Sequence, residues 1–349
     1  MKKRIALLLA GVLAVTSLVA CGGNEGGNES ATVKVGLGAC TSFSESYSIG
    51  EDNHGKPATA TNAQVDIHVA AVTLADGKIA SIQIDAIQVK NNVDATGALA
   101  TDAKKEFTSK YELGEDYGMK AYGPADAIGV EWCDQIDNFE KWATGKTLDE
   151  VKAGIGADGY ATDDMLKSGC TIQMNDIIAA IADACAKAET SNATASSADT
   201  LGLALIGEMT KEANATAEKD GTFQAYVNFA CTTQNANGEI TSVLIDSIQA
   251  SPSWDATGKL TTDAAQDVRT KYTKGFDYGM KAHGPEGSIG KEWFEQIDVF
   301  KQLITGKNAD FVKAIAVNDG GYPTDETLRT GCTMKVSAYK TVVVKSLGK

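Results

Sequence analysis

The chain has 349 residues, of which 32 are Lys or Arg and 46 are Asp or Glu, giving a formal net charge of −14 at pH 7. This acidity argues against nucleic-acid binding, which needs Lys and Arg to neutralise phosphates, and against adhesion to an anionic lipid surface. Hydrophobic residues make up 43% of the chain, which is enough for a packed globular core.

The N-terminus is typical of an exported protein. Basic residues 2–4 precede an apolar stretch, and Leu18-Val19-Ala20 leads directly into Cys21. This order resembles the lipobox of bacterial lipoproteins and implies cleavage before Cys21 and lipidation of its thiol. An ordinary signal peptide followed by a chance Cys is the alternative. We predict a signal peptide over residues 1–20, a lipidated Cys with a flexible tether over residues 21–32, and a mature protein anchored outside the cytoplasmic membrane.

Two copies of a domain-sized repeat follow the tether. Asp76-Gly77 matches Asn237-Gly238, and the spacing stays constant through later pairs such as Tyr117-Gly118-Met119 and Tyr278-Gly279-Met280. A stretch of small and polar residues separates the copies. The sequence therefore predicts two similar α+β domains, each an antiparallel sheet with packed helices, over residues 33–188 and 200–349. Residues 189–199 are predicted to be a linker.

The elements of each copy can be read in chain order. Apolar and polar residues alternate on both sides of the Asp-Gly or Asn-Gly turn, which predicts β-hairpins over 65–74 with 79–89, and over 223–233 with 240–250. Helical spacing of apolar residues follows over 128–143 and 289–304. Thr147 with Glu150 forms a capping box for a short helix, and Asn308 is the matching cap. Asn175 is predicted to cap a last helix that runs to Lys187.

A (Ser/Thr)-Gly-Cys-Thr segment comes late in each copy. The first copy has Ser168, Gly169, Cys170 and Thr171, and the second has Thr330, Gly331, Cys332 and Thr333. One interpretation is a tight turn in which the Gly adopts a positive φ and the hydroxyls bond the backbone. The other is a Thr hydroxyl held on a turn for modification or for contact with a ligand.

The cysteines, the histidines and the possible catalytic groups limit the classes of function. Of the six Cys after Cys21, only Cys170 and Cys332 occupy matching positions, so we expect mostly free thiols, although disulfides are possible outside the cell. The three His are scattered, so no metal site is expected. No catalytic triad or carboxylate pair is repeated. The residues alone therefore do not support a hydrolase.

Aromatic residues repeat with the rest of the pattern. Trp132 and Trp293 are predicted to pack in the core rather than to stack on a ligand. Tyr117 and Tyr278, each followed by Gly and Met, suit either a packed turn or the approach of a planar ligand.

These features together resemble the FMN-binding-domain family, and in particular its flavinylated lipoproteins of Gram-positive extracellular electron transfer. That family carries an early hairpin and a late (Ser/Thr)-Gly-Ala-(Thr/Ser) motif, and a flavin transferase attaches FMN through its phosphate to the last hydroxyl of the motif. The resemblance implies attachment at Thr171 and Thr333, backbone N–H groups of the Gly-Cys turn at the phosphate, and Tyr117 or Tyr278 beside the ring. This chain has Cys170 and Cys332 where the family has Ala.

Three functions follow as hypotheses. The first is a membrane-anchored flavoprotein that carries electrons from a membrane electron donor through FMN in each domain. The second is a non-catalytic surface lipoprotein that binds a small ligand, or acts as a structural module, on a flavin-free scaffold. The third is thiol redox sensing through Cys170 and Cys332, which would require exposed thiols of low pKa.

Overall fold

The computed structural model describes residues 31–53, 55–100, 105–122, 128–283 and 289–348. Ala31–Lys349 form one compact unit. The predicted signal peptide, the lipidated Cys21 and nearly all of the tether lie outside the described residues. Among the helices described, none is long and apolar enough to cross a membrane.

The first repeat consists of a sheet followed by short and long helices. Its strands are β1 (Thr32–Ser42), β2 (Asp52–Asn53), β3 (Lys56–Pro57), β4 (Thr61–Ala75), β5 (Lys78–Val93) and β6 (Glu106–Thr108). Its helices are α1 (Lys110–Leu113), a 3-10 turn (Gly114–Tyr117), α2 (Met119–Tyr122), α3 (Trp132–Ala143), α4 (Leu148–Ala153), α5 (Asp164–Lys167) and α6 (Asn175–Thr190).

The second repeat has the same helices in the same order. Its strands are β7 (Thr194–Ser196), β8 (Thr200–Ala213), β9 (Gly221–Gln234), β10 (Ile240–Ala250) and β11 (Ser253–Trp254). Its helices are α7 (Lys271–Lys274), a 3-10 turn (Gly275–Tyr278), α8 (Met280–His283), α9 (Trp293–Ile304), α10 (Ala309–Ala314), α11 (Glu326–Arg329) and α12 (Ser337–Ser346).

Two antiparallel sheets share one core. Their strand orders are β5-β4-β1-β7 and β10-β9-β8-β6. Buried residues of both sheets, among them Ile67, Val89, Leu205 and Phe229, form a single hydrophobic cluster. Each sheet uses its other face to pack against the helices of its own repeat. The antiparallel sheets and packed helices predicted from the sequence are thus confirmed, in a helix–sheet–sheet–helix arrangement.

The two repeats also exchange strands and hydrogen bonds. Strand β6 of the first repeat pairs with β8 of the second, and β7, which lies within the predicted linker, pairs with β1. The Trp254 indole N–H donates to the carbonyl of Gly97 at 3.0 Å. The structure therefore does not confirm two domains separated by a flexible linker.

The local predictions mostly hold. Both hairpins are confirmed, as are the Thr147–Glu150 capping box and the Asn308 cap. Helix α3 begins at Trp132, because the extended backbone of Glu131 forms its cap. The prediction for Asn175 was wrong: it is the first residue of α6, whose cap is Met174 without a side-chain hydrogen bond.

Candidate functional site

A cavity of about 660 Å³ lies in the first repeat, where β4 and β5 meet the helical layer. Two predicted site residues, Tyr117 and Thr171, line it. Ser168, Gly169 and Cys170 do not belong to its lining. The other lining residues are Ser44, Glu45, Asp66, His68, Gln88, Lys110, Met119, Trp132, Gln135, Tyr160, Ile172, Gln173, Asp176 and Ile177. The cavity has the size of a site for a small organic molecule.

The turn before Thr171 uses its own polar groups. The Gly169 and Cys170 N–H groups both donate to the Leu166 carbonyl, at 3.0 and 2.8 Å, and the Ser168 hydroxyl donates to the Met165 carbonyl at 2.8 Å. In this structure the amides that the resemblance assigns to the phosphate are therefore engaged within the turn. A bonded amide has no proton left for a ligand.

The second repeat builds the same turn. The Gly331 and Cys332 N–H groups donate to the Leu328 carbonyl at 3.1 and 2.8 Å, and the Thr330 hydroxyl donates to the Thr327 carbonyl at 2.8 Å. These amides, like those of the first repeat, are not available to a phosphate.

The glycines of the two turns are explained by packing instead of by backbone conformation. Neither Gly169 nor Gly331 has the predicted positive φ. A Cβ at Gly169 would lie 2.9 Å from Asn138, and one at Gly331 would lie 2.8 Å from Val299. The turns thus pack closely against side chains of α3 and α9, and Gly is favoured because a Cβ would force Asn138 or Val299 to shift.

The thiols of the two turns are buried. Burial raises the pKa of Cys170 and of Cys332 to about 11, so both are protonated at neutral pH. A redox sensor needs an accessible thiolate, and the hypothesis of thiol sensing is wrong for this pair. All six Cys of the described ranges are free.

The threonine after each turn is held by a glutamine. The Thr171 N–H donates to Gln135 Oε1 at 2.8 Å, and its hydroxyl lies 3.3 Å from the same oxygen. Thr333 makes the same contacts with Gln296, at 2.9 and 3.4 Å. The amide of Gln135 is in turn fixed by the Val130 carbonyl at 3.1 Å. Sequence reasoning missed these glutamines, although their matching positions in α3 and α9 were a visible signal.

A buried lysine is the main cation of the cavity. Lys110 is 9% exposed, and its ammonium lies 5.0 Å from the Tyr117 ring centre and 5.6 Å from that of Trp132. Such contacts stabilise a cation by about 0.5–2 kcal/mol. Within the described ranges, no atom accepts a hydrogen bond from this ammonium. The first turn of α1 holds Lys110 in place, because Asp85 accepts from the Tyr111 N–H at 3.0 Å.

Strand β4 contributes two titratable groups to the cavity. Burial raises the pKa of Asp66, and the amides of Gln64 and Gln88, which donate to its carboxylate at 2.8–3.0 Å, partly offset this effect. Burial also lowers the pKa of His68 to about 3, so its imidazole is neutral. The Nδ1 atom of His68 is buried without a hydrogen-bond partner, and Asp176 is 3.9 Å away.

The same space in the second repeat is filled by two tyrosines. Tyr226 faces Gln249 in the β9–β10 ladder as Asp66 faces Gln88 in the β4–β5 ladder, and Tyr339 follows the N-terminus of α12 as Ile177 follows that of α6. The two hydroxyls are 3.2 Å apart.

Side chains around these tyrosines complete a closed network. Lys271, the counterpart of Lys110, donates to the Tyr226 hydroxyl at 2.8 Å. The indole of Trp293 donates to the Tyr339 hydroxyl at 3.0 Å. The predicted ring neighbour Tyr278 donates to Gln249 at 3.4 Å, and burial raises its pKa to about 12. Tyr278 therefore belongs to a packed network, whereas its counterpart Tyr117 lines a cavity.

Comparison of the chain with family models, with curated proteins and with solved structures finds no match in any of the three. Within the described ranges, no group of three His, Cys, Asp or Glu is placed to hold a metal ion. The function therefore has to be argued from the geometry of the cavity.

Proposed function

We propose that this chain is a membrane-anchored extracytoplasmic flavoprotein that carries electrons through one FMN, held in the cavity of the first repeat and attached at Thr171. The observation that carries the proposal is the cavity itself, which borders Thr171 and is lined by Tyr117, Trp132 and Lys110. A lipid on Cys21 would anchor the protein, a flavin transferase would load it, and a membrane electron donor would reduce it.

The residues of the cavity suit a flavin. Tyr117, Trp132 and Ile172 offer apolar surface to a planar ring, while Lys110 and Asp66 offer a donor and an acceptor to its polar edge. The volume of about 660 Å³ accommodates a ligand of this size. When bound, FMN would supply the redox chemistry, and the protein would orient it and set its electrostatic surroundings.

One specific observation favours a second candidate, noncovalent binding of a small ligand on a flavin-free scaffold. The turn amides donate to the Leu166 carbonyl, and the Thr171 N–H donates to Gln135. The turn therefore offers no backbone N–H group to a phosphate. A ring without a phosphate would satisfy the cavity equally well.

A pair of matched variants tests the attachment. The full-length chain is purified from its native membrane, and its intact mass and visible spectrum are measured. We expect one FMN adduct, lost in Thr171→Val and retained in Thr333→Val, because Thr171 lines the cavity, whereas Tyr226 and Tyr339 occupy the matching space of the second repeat. Val keeps the shape of Thr and removes only a long hydroxyl contact, of 3.3 Å at Thr171 and 3.4 Å at Thr333, so both variants should fold.

An adduct that persists in Thr171→Val, or that disappears only in Thr333→Val, contradicts the proposal. A colourless, unmodified chain that binds added menadione, a ring without a phosphate, supports the second candidate. A chain that is unmodified and binds neither a flavin nor menadione contradicts both.

A further inference from the structure

We infer that the ligand of the first-repeat cavity is a planar ring with carbonyl-type oxygen acceptors, and that Lys110 and the Trp132 indole N–H donate to those oxygens. The inference rests on the proposed function for the site and names the part of the ligand that the site recognises. It comes from the second repeat, whose tyrosines occupy the space that the first repeat leaves open.

The second repeat serves as an internal template for the missing ligand. Two phenol rings, those of Tyr226 and Tyr339, fill its space, and their oxygens accept from Lys271 and from the Trp293 indole. Both donors have exact sequence counterparts in the first repeat, Lys110 and Trp132. The two positions that carry the rings do not, since Asp66 and Ile177 stand there.

The indole of Trp132 lacks the partner that its counterpart has. Trp132 is 2% exposed, and buried indole N–H groups usually find an acceptor. Ile177 stands where the second repeat has Tyr339, and this N–H donates no hydrogen bond within the described part of the chain. Trp132 lines the cavity, so an oxygen of the ligand would complete the bond.

The ammonium of Lys110 lacks its acceptor for the same reason. In the second repeat the Tyr226 hydroxyl accepts from Lys271, while the shorter Asp66 is engaged by Gln64 and Gln88. A buried cation without an acceptor costs free energy, and a ligand that supplies one recovers it. A second oxygen acceptor on the ring would fill this position.

Ring ligands with and without carbonyl oxygens test the inference. Riboflavin, menadione and 2-methylnaphthalene are titrated into the full-length chain in detergent, with calorimetry as the readout. The chain is produced without a flavin transferase, so that no attached FMN occupies the cavity. The last two probes share one ring system and differ in the carbonyl oxygens. We expect riboflavin, menadione or both to bind, and 2-methylnaphthalene to bind at least about tenfold more weakly. Which of the two, riboflavin or menadione, binds more tightly decides whether the ligand of the cavity is a flavin or a quinone.

Crossed variants test the two donors. Trp132→Phe should weaken binding about fivefold and lower the melting temperature of the free chain less than Trp293→Phe does, because both variants lose the same ring volume but only Trp293 also loses a hydrogen bond within the protein. Trp293→Phe should lower the melting temperature and leave binding unchanged. Lys110→Met should weaken binding at least about tenfold and change the stability of the free chain little, since the buried ammonium donates no hydrogen bond within the described ranges.

Two results would overturn the inference while the proposed function stands. One is binding of 2-methylnaphthalene as tightly as menadione, and the other is unchanged affinity in both Trp132→Phe and Lys110→Met. The double variant Asp66→Tyr with Ile177→Tyr copies the closed second repeat and should abolish binding. Ring binding that survives in this folded double variant would place the ligand elsewhere and overturn the proposed function as well. Absence of binding by both carbonyl rings also overturns the inference.

Discussion

At the scale of single residues, two buried lysines occupy matching positions of the two repeats but have different surroundings. Lys110 faces a cavity, whereas Lys271 is enclosed by Tyr226, Tyr278 and Trp293. Burial lowers the pKa of Lys271 to about 7, although the nearby Asp246 opposes this shift. Lys211 and Lys274 lower the pKa further. The enclosed lysine is therefore the group whose protonation should couple to stability.

We predict that the Lys271→Met variant loses part of the pH dependence of folding. The folded pKa of Lys271 lies below its ordinary value of 10.5, so between pH 7 and 10.5 the unfolded chain binds a proton that the folded chain does not. Stability should thus rise with pH in this window and be lost as pH falls towards 7. Urea unfolding of both proteins between pH 7 and 9.5 measures the difference.

The measurements stop at pH 9.5 so that ionisation of the buried tyrosines does not affect the comparison. Burial raises the pKa of Tyr226 and of Tyr339 above the ordinary value, so their effect on stability begins only near pH 10. Parallel pH profiles for the wild type and Lys271→Met would contradict the prediction. The variant should also be at least as stable as the wild type at pH 7, where the wild type holds a poorly solvated amine.

At the scale of elements, the close contact between β1 and α6 sets the geometry of the first repeat. A Cβ at Gly36 would lie 2.0 Å from the Ala184 carbonyl oxygen, and one at Gly38 would lie 2.1 Å from the Ala184 nitrogen. Helix α6 thus rests directly on the backbone of β1. The same helix carries Asp176 and Ile177 into the cavity lining, so this contact positions the site.

We predict that Gly36→Ala destabilises the protein by at least about 3 kcal/mol, because the obstacle is helix backbone and not a mobile side chain. Urea unfolding at neutral pH measures the change. Gly348→Ala is the control, since a Cβ there would come no closer than 3.6 Å to a neighbouring atom. Equal stability of the two variants would show that α6 shifts freely on the sheet.

The sequence predicts elements well where the signal is local. Alternation around Asp76-Gly77 and the Thr147–Glu150 pair indicate a hairpin and a capped helix without reference to other parts of the chain. Strand β1 escaped sequence reasoning because Gly36 and Gly38 weaken its pattern, and only the partner helix explains them. Two residues of the cavity lining, Thr171 and Tyr117, were predicted from the sequence. Lys110 was not, because only the folded chain brings it beside Tyr117 and Trp132.

At the scale of the whole molecule, burial on both faces of a strand is the feature that joins the repeats. In β4, Val65, Ile67 and Val69 face the shared core, while Ala70 and Val72 face the helices. A strand with one solvated face alternates apolar and polar residues, whereas a strand covered on both faces is apolar throughout. Repeat spacing alone shows a duplication and does not show whether the copies pack together.

We predict that residues 31–190, expressed alone, do not fold as a monomer. Separation would expose the inner face of strands β5, β4 and β1, which in the intact chain packs against Leu205, Val227 and Phe229, and it would remove β7 from the edge of this sheet. An exposed apolar face of this kind drives association or unfolding. Sedimentation velocity and far-UV circular dichroism of the fragment should therefore show a self-associated or an unfolded species. A monomeric fragment with a cooperative melt would show that the first repeat is an autonomous domain. Contact with the closed second repeat would then have no part in stabilising the cavity of the first.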